Sequence, residues 1–348
     1  MNIMGVYPFN QVSLKSKKIL YTMGFFGVCV VGVMVVAYLH HMSLLTKSLN
    51  KKPVELGREY WAKQIDTRGP QEAYQSFKKK YAGDDVDIVH QKAHIFGELL
   101  FEKAGLEGVS VCDDAFKFGC YHSFFAAAMR IEGLSAIPEL AQKCLNHWQN
   151  SSSCSHGIGH GLIWYFGDSN LTQALTECKK AFVEQKHLEG CSAGVFMEYN
   201  LRTMLDPSGA LHRPLDKEHP YAPCDTIDNS YKSSCFFEIS RLWIMEYASY
   251  VPAAKLCQDV SDTALRKVCF FGIGQKIVAL TGDHDYNSDW AIKNCAAMPN
   301  QEAVISCSSG AAWAFAMLPS THNQYHLLCD RLSPEGKARC ESAVQRDI

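Results

Sequence analysis

The stretch CSHGIGHGLIWYFGDSNLTQALTEC, residues 154–178, decides the fold. It opens on a cysteine and runs apolar through Phe166. It breaks at Gly167-Asp-Ser-Asn and resumes as an amphipathic segment that ends on a second cysteine. The side-chain oxygens at the break suit a helix start, because they can cap otherwise unpaired amides. The stretch therefore reads as a two-helix unit, with an apolar A arm and an amphipathic B arm. The unit recurs. Cys120-Tyr-His-Ser, Cys154-Ser-His-Gly, Cys191-Ser-Ala-Gly, Cys235-Phe-Phe-Glu, Cys269-Phe-Phe-Gly and Cys307-Ser-Ser-Gly align, at separations of 34, 37, 44, 34 and 38 residues. Each A arm is followed by a B cysteine: Cys144, Cys178, Cys224, Cys257, Cys295 and Cys329. Asn287-Ser-Asp repeats the helix-start pattern before one of them. The long third separation is an insertion, Asp206–Pro223, whose four prolines predict a surface loop.

Counting sets the disulfide phase. Fifteen cysteines are present, and fourteen follow residue 39. Pairing within a hairpin strands Cys112 and Cys340 at opposite ends. Pairing each B cysteine with the next A cysteine uses all fourteen: Cys112–Cys120, Cys144–Cys154, Cys178–Cys191, Cys224–Cys235, Cys257–Cys269, Cys295–Cys307 and Cys329–Cys340. Short loops of this kind are each expected to add about 2–3 kcal/mol by the chain-entropy account. Dense, even cysteines outside a membrane predict an oxidising compartment: periplasm, lumen or cell exterior.

Ile19–Leu39 carries no formal charge over twenty-one residues, long enough to cross a bilayer as a helix. No small-residue cleavage site follows it, so it reads as an uncleaved signal-anchor; a cleaved signal is the competing reading. Lys15, Lys17 and Lys18 precede the span and Lys47, Lys51 and Lys52 follow it, so charge barely votes on orientation. The cysteines decide it. The expected plan is a cytoplasmic tail at 1–18, an anchor in the lipid bilayer at 19–39, a helical stalk at 40–85 and a cysteine-rich repeat domain at 86–348. Leu44–Ile65, interrupted at Pro53, and Pro70–Tyr81 supply the stalk helices. The fold class is all-α: an N-terminal transmembrane helix, then a solenoid of about seven disulfide-stapled α-hairpin repeats. A net charge of −2 gives no basic field for nucleic acid.

Between Asp87 and about Arg346, period and unit resemble tetratricopeptide-like repeats, and the regular cysteines resemble their disulfide-stapled secreted relatives. The resemblance is architectural. The Trp-Leu-Gly-Tyr signature is absent, so no functional residue carries over. It implies a curved stack of hairpins whose concave face could dock a protein or peptide.

The chemistry sits in histidines. Cys120 to Cys144 and Cys154 to Cys178 both span 24 residues, and 24 back from Cys112 is Ile88. In that frame His90, His122 and His156 share one position, and His94 and His160 follow one helical turn later. Residues four apart lie on one helix face, so each pair can aim two imidazoles at one point. Neighbouring helices lie about 8–10 Å apart, close enough for the imidazoles to converge. Such a set suits zinc, copper or iron. Glu98 and Glu198 are the acidic candidates to complete it. Gly157, Gly159 and Gly161 weaken their helix by about 1 kcal/mol each, so a close approach should offset them. Gln91 and Gly157 stand where a zinc protease needs glutamate, so a peptidase is not indicated. No Cys-x-x-Cys, Walker loop, dinucleotide fingerprint or nucleophile elbow occurs.

Weaker candidates read as structure. Glu238, Arg241 and Glu246 suggest an ion pair on one A helix. Trp164, Trp243, Trp290 and Trp313 suggest core, and Asp283-His284 suggests a turn. The functional expectation is a membrane-anchored extracytoplasmic domain with a histidine-lined transition-metal site, either catalytic or metal-handling. The alternative is a non-catalytic protein- or peptide-binding scaffold. A cytosol-restricted reporter fused after Ile348 is expected to stay silent; strong activity would overturn the orientation.

Overall fold

The computed structural model describes residues 52–84, 86–147, 152–202, 211–279, 287–317 and 321–345. The predicted tail 1–18, the span 19–39 with Cys29, stalk residues 40–51, residues 206–210 of the predicted insertion and the Asp283-His284 turn lie outside them. Among the described residues no helix is long and apolar enough to cross a membrane, and no strand occurs. The described residues from Arg58 onward form one compact unit, apart from Met1–Gly57.

The helices are α1 (Lys52–Arg68), α2 (Pro70–Tyr81), α3 (Val86–Ala104), α4 (Gly119–Glu132), α5 (Ile137–His147), α6 (Ser153–Phe166), α7 (Leu171–Ala181) and α8 (Gln185–Leu201). There follow α9 (Asn229–Tyr247), α10 (Tyr250–Gln258), α11 (Thr263–Ala279), α12 (Ser288–Ala296), α13 (Gln301–Ala316), α14 (Tyr325–Cys329) and α15 (Pro334–Gln345). The A arms α3, α4, α6, α8, α9, α11, α13 and α15 pack one against the next in chain order. The B arms α5, α7, α10, α12 and α14 each pack on the A helices flanking them or on their own A helix. Asn287 starts α12 as expected, its side chain accepting from the Trp290 amide at 3.0 Å. Asp168-Ser-Asn instead forms a 3-10 turn, and Asn170 donates to the Phe166 carbonyl at 2.8 Å.

All seven predicted disulfides are present, with Cα–Cα distances of 5.4–5.7 Å. Two B arms differ from expectation. Around Cys224 there is no helix among the described residues. Turns cover the segment instead, because Pro214, Pro220 and Pro223 cannot donate to a helical ladder. This loop is tied down by Arg213, which donates to Asn200 Oδ1 at 2.8 Å and to the Ala222 carbonyl at 2.9 Å. The first B arm is a seven-residue 3-10 helix, Gly105–Val111, rather than an α-helix.

The described part of the predicted stalk, from residue 52, is helical as α1 and α2. Pro53 sits in the first turn of α1 and does not interrupt it, since that turn needs no amide donor. Trp61, Tyr74 and Phe77 are buried, and the Trp61 and Phe77 rings lie 5.7 and 4.9 Å from Phe96 of α3.

The A helices are held unusually close. A Cβ on Gly159 would stand 2.0 Å from the Cys191 carbonyl oxygen, one on Gly274 1.9 Å from that of Cys307, and one on Gly97 2.0 Å from that of Cys120. Three residues after the A cysteine the reciprocal contact recurs: Gly194 to the His156 oxygen at 2.0 Å, Gly272 to Phe237 at 2.4 Å, and Gly310 to Phe271 at 1.9 Å. No side chain fits at these distances. The three glycines of α6 have the same reason, for Gly157 meets the Phe125 ring and Gly161 the Met129 sulfur. Gly274→Ala is expected to cost about 1–3 kcal/mol in urea unfolding of the disulfide-intact protein. Gly57→Ala, with nothing within 4 Å, should cost nothing. A Gly274→Ala protein as stable as wild type would contradict this packing.

Candidate metal centre

The glycine contacts re-register the first hairpin. Gly159 and Gly274 lie five residues after their A cysteines and touch the next A cysteine; Gly97 touches Cys120 in the same way. Gly190 and Gly119, each just before an A cysteine, touch the carbonyls of Ser152 and His90. Both matches put Lys92, not Ile88, at the cysteine position of α3. The frame drawn by counting 24 is therefore one helical turn out. The cause is the 3-10 arm. At about 2.0 Å per residue its seven residues cover about 14 Å, close to the roughly 16 Å of the eleven-residue α5, with four residues fewer. His94, His122 and His156 thus share one position. His90 stands one turn before it and His160 one turn after.

The five imidazoles come together across α3, α4 and α6. Ring centroids are 4.5 Å apart for His90–His94, 5.3 Å for His90–His122 and 5.4 Å for His94–His122. They are 6.0 Å for His122–His156, 4.3 Å for His122–His160 and 4.8 Å for His156–His160. His90, His94 and His122 each offer a ligand nitrogen within 4.8 Å of the others, and so do His122, His156 and His160. His122 belongs to both trios. His94 Nε2 lies 3.3 Å from His122 Nδ1, and His160 Nε2 lies 3.0 Å from His156 Nε2. Two nitrogens bound tetrahedrally to one zinc at about 2.0–2.1 Å sit about 3.3 Å apart, so this spacing suits ligation. His122 Nε2 is buried and has no hydrogen-bond partner among the described residues.

Neighbouring groups orient the rings. His90 Nδ1 donates to the Phe116 carbonyl at 2.7 Å, which leaves the lone pair of the neutral ring on Nε2. Phe116, Lys117 and Phe118 all have left-handed backbones, φ 56, 53 and 63. Such residues pay about 1–2 kcal/mol each, and this strained turn is what aims the carbonyl at His90. Glu198 of α8 lies 3.1 Å from His160 Nδ1, and both are buried, at 4% and 0% exposure. A carboxylate only accepts, so Nδ1 carries the proton and Nε2 turns toward His156. Glu198 therefore stands behind His160 and belongs to neither nitrogen trio. Glu98 is not at the cluster's service: Arg58 and Arg130 engage it at 3.0 and 2.9 Å.

Burial lowers the pKa of His94, His122 and His156 well below the usual imidazole value, and neighbouring histidines lower it further. All three are held neutral, the form that ligates metal. A second, solvent-exposed group, His326, Asp330 and Glu341, is a surface ion-pair site, with Lys337 2.6 Å from Asp330 and 3.8 Å from Glu341.

The cluster opens on a cavity of about 1470 Å³ lined by residues from every A helix, α3 to α15. His90, His122 and His156 reach it, and so do Phe237, Phe271 and Trp313. Trp313 is thus wall rather than core, Trp164 is exposed at 38%, and Trp243 is buried. At the position two after the A cysteine the histidines give way to Ala193 in the next repeat. Continued, the same offset gives Phe237, Phe271 and Ser309, all in the cavity wall. Glu238 and Glu246 form ion pairs with Lys276 at 3.2 Å and Lys217 at 3.3 Å, partners outside their own helix. Lys276 was legible as a lone charge inside an apolar run.

Comparison of the chain with protein-family models, with curated proteins and with solved structures finds no match. The functional reading rests on geometry.

The lowered histidine pKa values set a pH dependence. Below about pH 6.5 the unfolded chain takes up protons that folded His94, His122 and His156 refuse, so stability falls as pH falls, by up to about 1.4 kcal/mol per pH unit for each group. Above that range these groups add no slope. Urea unfolding of chelator-treated protein between about pH 7.5 and 5 measures it; a flat profile would contradict the assignment.

Proposed function

We propose that the chain is a membrane-anchored, extracytoplasmic helical-repeat protein whose His90, His94, His122, His156 and His160 bind a transition metal: zinc, copper or iron. The observation that carries this reading is the pair of histidine trios sharing His122, each with its ligand nitrogens within 4.8 Å. Three further features support it. Burial holds His94, His122 and His156 neutral, His122 Nε2 is buried without a hydrogen-bond partner among the described residues, and Glu198 and the Phe116 carbonyl hold two rings by Nδ1. A metal-bound histidine characteristically donates its other N–H to such a group, which fixes the ring and strengthens the ligand. Glu198 is accordingly a positioning residue. The seven disulfides support an oxidising compartment, and residues 19–39 supply the anchor.

Nitrogen donors favour these metals over magnesium or calcium, which prefer oxygen. The centre borders a large cavity, so a bound ion would have a coordination side open to solutes. That is the arrangement of a catalytic or metal-handling site rather than a closed structural one.

Elemental analysis of protein purified without added metal is expected to show at least one transition-metal ion per chain. His122→Gln, which strikes both trios, should abolish retention. Glu198→Gln should leave binding but weaken it about 10–100-fold. Failure to retain zinc, copper or iron, each supplied in turn to folded wild-type protein, would overturn the proposal.

A further inference from the structure

The cavity has a second chemically distinct wall, built from α9, α11 and α13. On the rung two residues after each A cysteine stand Phe237, Phe271 and Ser309; one turn further stand Arg241, Gln275 and Trp313. The three aromatic rings form a nearly equilateral set, with centroids 6.1 Å apart for Phe237–Phe271, 6.0 Å for Phe271–Trp313 and 6.3 Å for Phe237–Trp313. Their planes are inclined at 43°, 49° and 85° to one another, so they line the cavity as an aromatic corner that offers both ring faces and ring edges.

Polar groups border that surface. Lys276 and Glu238 are buried together, 3.2 Å apart, and Lys276 Nζ also lies 3.7 Å from the Phe237 ring centroid. Burial is the larger influence on Lys276 and lowers its pKa to about 8, with Glu238 opposing the shift. Glu238 offsets the Lys276 charge, and Arg241 stands on the same wall. Gln275 Oε1 is buried and accepts no hydrogen bond among the described residues. Turned over, the amide would present an N–H₂ donor at the same place. A buried amide end left unpaired is destabilising, so its position on a cavity wall marks a place where a solute's polar group is favoured. Apolar lining with a few convergent polar groups is what small-molecule sites show.

We infer that this wall is a binding site for an organic carboxylate with a flat, aromatic or conjugated body: the body packs into the corner formed by Phe237, Phe271 and Trp313, and the carboxylate meets Arg241 and Gln275. The site uses no histidine of the metal centre and stands independently of that reading. Face and edge contacts with these rings supply apolar burial without demanding one particular ring system. Arg241 selects the charge, because a guanidinium pairs with a carboxylate through charge-assisted hydrogen bonds. The cavity exceeds the roughly 300–1,000 Å³ of ordinary ligand pockets, so the bound body leaves room toward the histidines.

The test is titration calorimetry of the full, disulfide-intact, chelator-treated chain in detergent, with empty micelles as blank. The probes are 2-naphthoate, the neutral 2-naphthamide and the cationic 2-naphthylmethylammonium. Saturable binding of 2-naphthoate is expected, about tenfold or more tighter than of the amide, the difference one charge-assisted contact makes. The cation should not bind. Arg241→Gln should erase the carboxylate preference yet keep amide binding, and Phe271→Leu should weaken both. His122→Gln should bind 2-naphthoate as wild type does, which separates this site from the metal centre. The inference is overturned by absent 2-naphthoate saturation, by equal affinity for the cation, by an intact carboxylate preference in Arg241→Gln, or by loss of binding in folded His122→Gln.

Discussion

Backbone approaching backbone is the constraint on which the rest depends. At Gly97, Gly159, Gly194, Gly272, Gly274 and Gly310 a neighbouring carbonyl oxygen occupies space that a side chain would need. Each contact fixes how one A helix is rotated and slid against the next. Interdigitating side chains can settle in several ways, but a carbonyl seated on a glycine has one register. Because that register repeats, residues at one offset from the A cysteine line up across helices, and the cavity wall becomes a set of rungs. On α3, α4 and α6 the rung is His94, His122 and His156. On α9 and α11 it is Phe237 and Phe271. One framework holds two chemistries because the glycines that set it lie off the rung.

The pairing phase was legible because it is a counting problem: two unmatched cysteines at the ends admit one complete solution among adjacent partners. The convergence of the histidines was legible because residues four apart share a helix face. Their register was not, since a count in residues misleads when one arm is 3-10 rather than α. Position 88 stood in for 92 for that reason. The missing helix at Cys224 was half-visible in the prolines before it. The role of Glu198 required coordinates, because nothing in its spacing shows that it meets Nδ1 rather than an ion. Lys276 and the aromatic wall were available to the same offset arithmetic and were lost when the histidine pattern ended at Ala193.

The histidine cluster is costly as bare protein and suited to a ligand. Five imidazoles share a volume from which solvent is largely excluded, and one buried nitrogen, His122 Nε2, finds no hydrogen-bond partner among the described residues. A structural histidine is usually satisfied by a carbonyl, as His90 is by Phe116 on one nitrogen. The cluster departs from that habit on the inward-facing nitrogens alone. Outward, Glu198 and a strained left-handed turn spend binding partners on keeping the rings aimed. Local strain and unmet polar groups gathered in one place are typical of sites kept for function rather than stability.

The seven cross-links never overlap: each closes 8 to 13 residues, and no loop contains another. For a domain that enters an oxidising compartment in the order of its synthesis, this turns pairing into a queue. Each B cysteine is followed by its own partner before any later cysteine arrives, so oxidation in order of emergence and native connectivity coincide. Nested or interlocked frameworks must hold thiols in reserve or reshuffle wrong bonds, which takes seconds to hours. Here the order of synthesis is itself the instruction for pairing, and each closed staple presents a finished surface on which the next hairpin can dock.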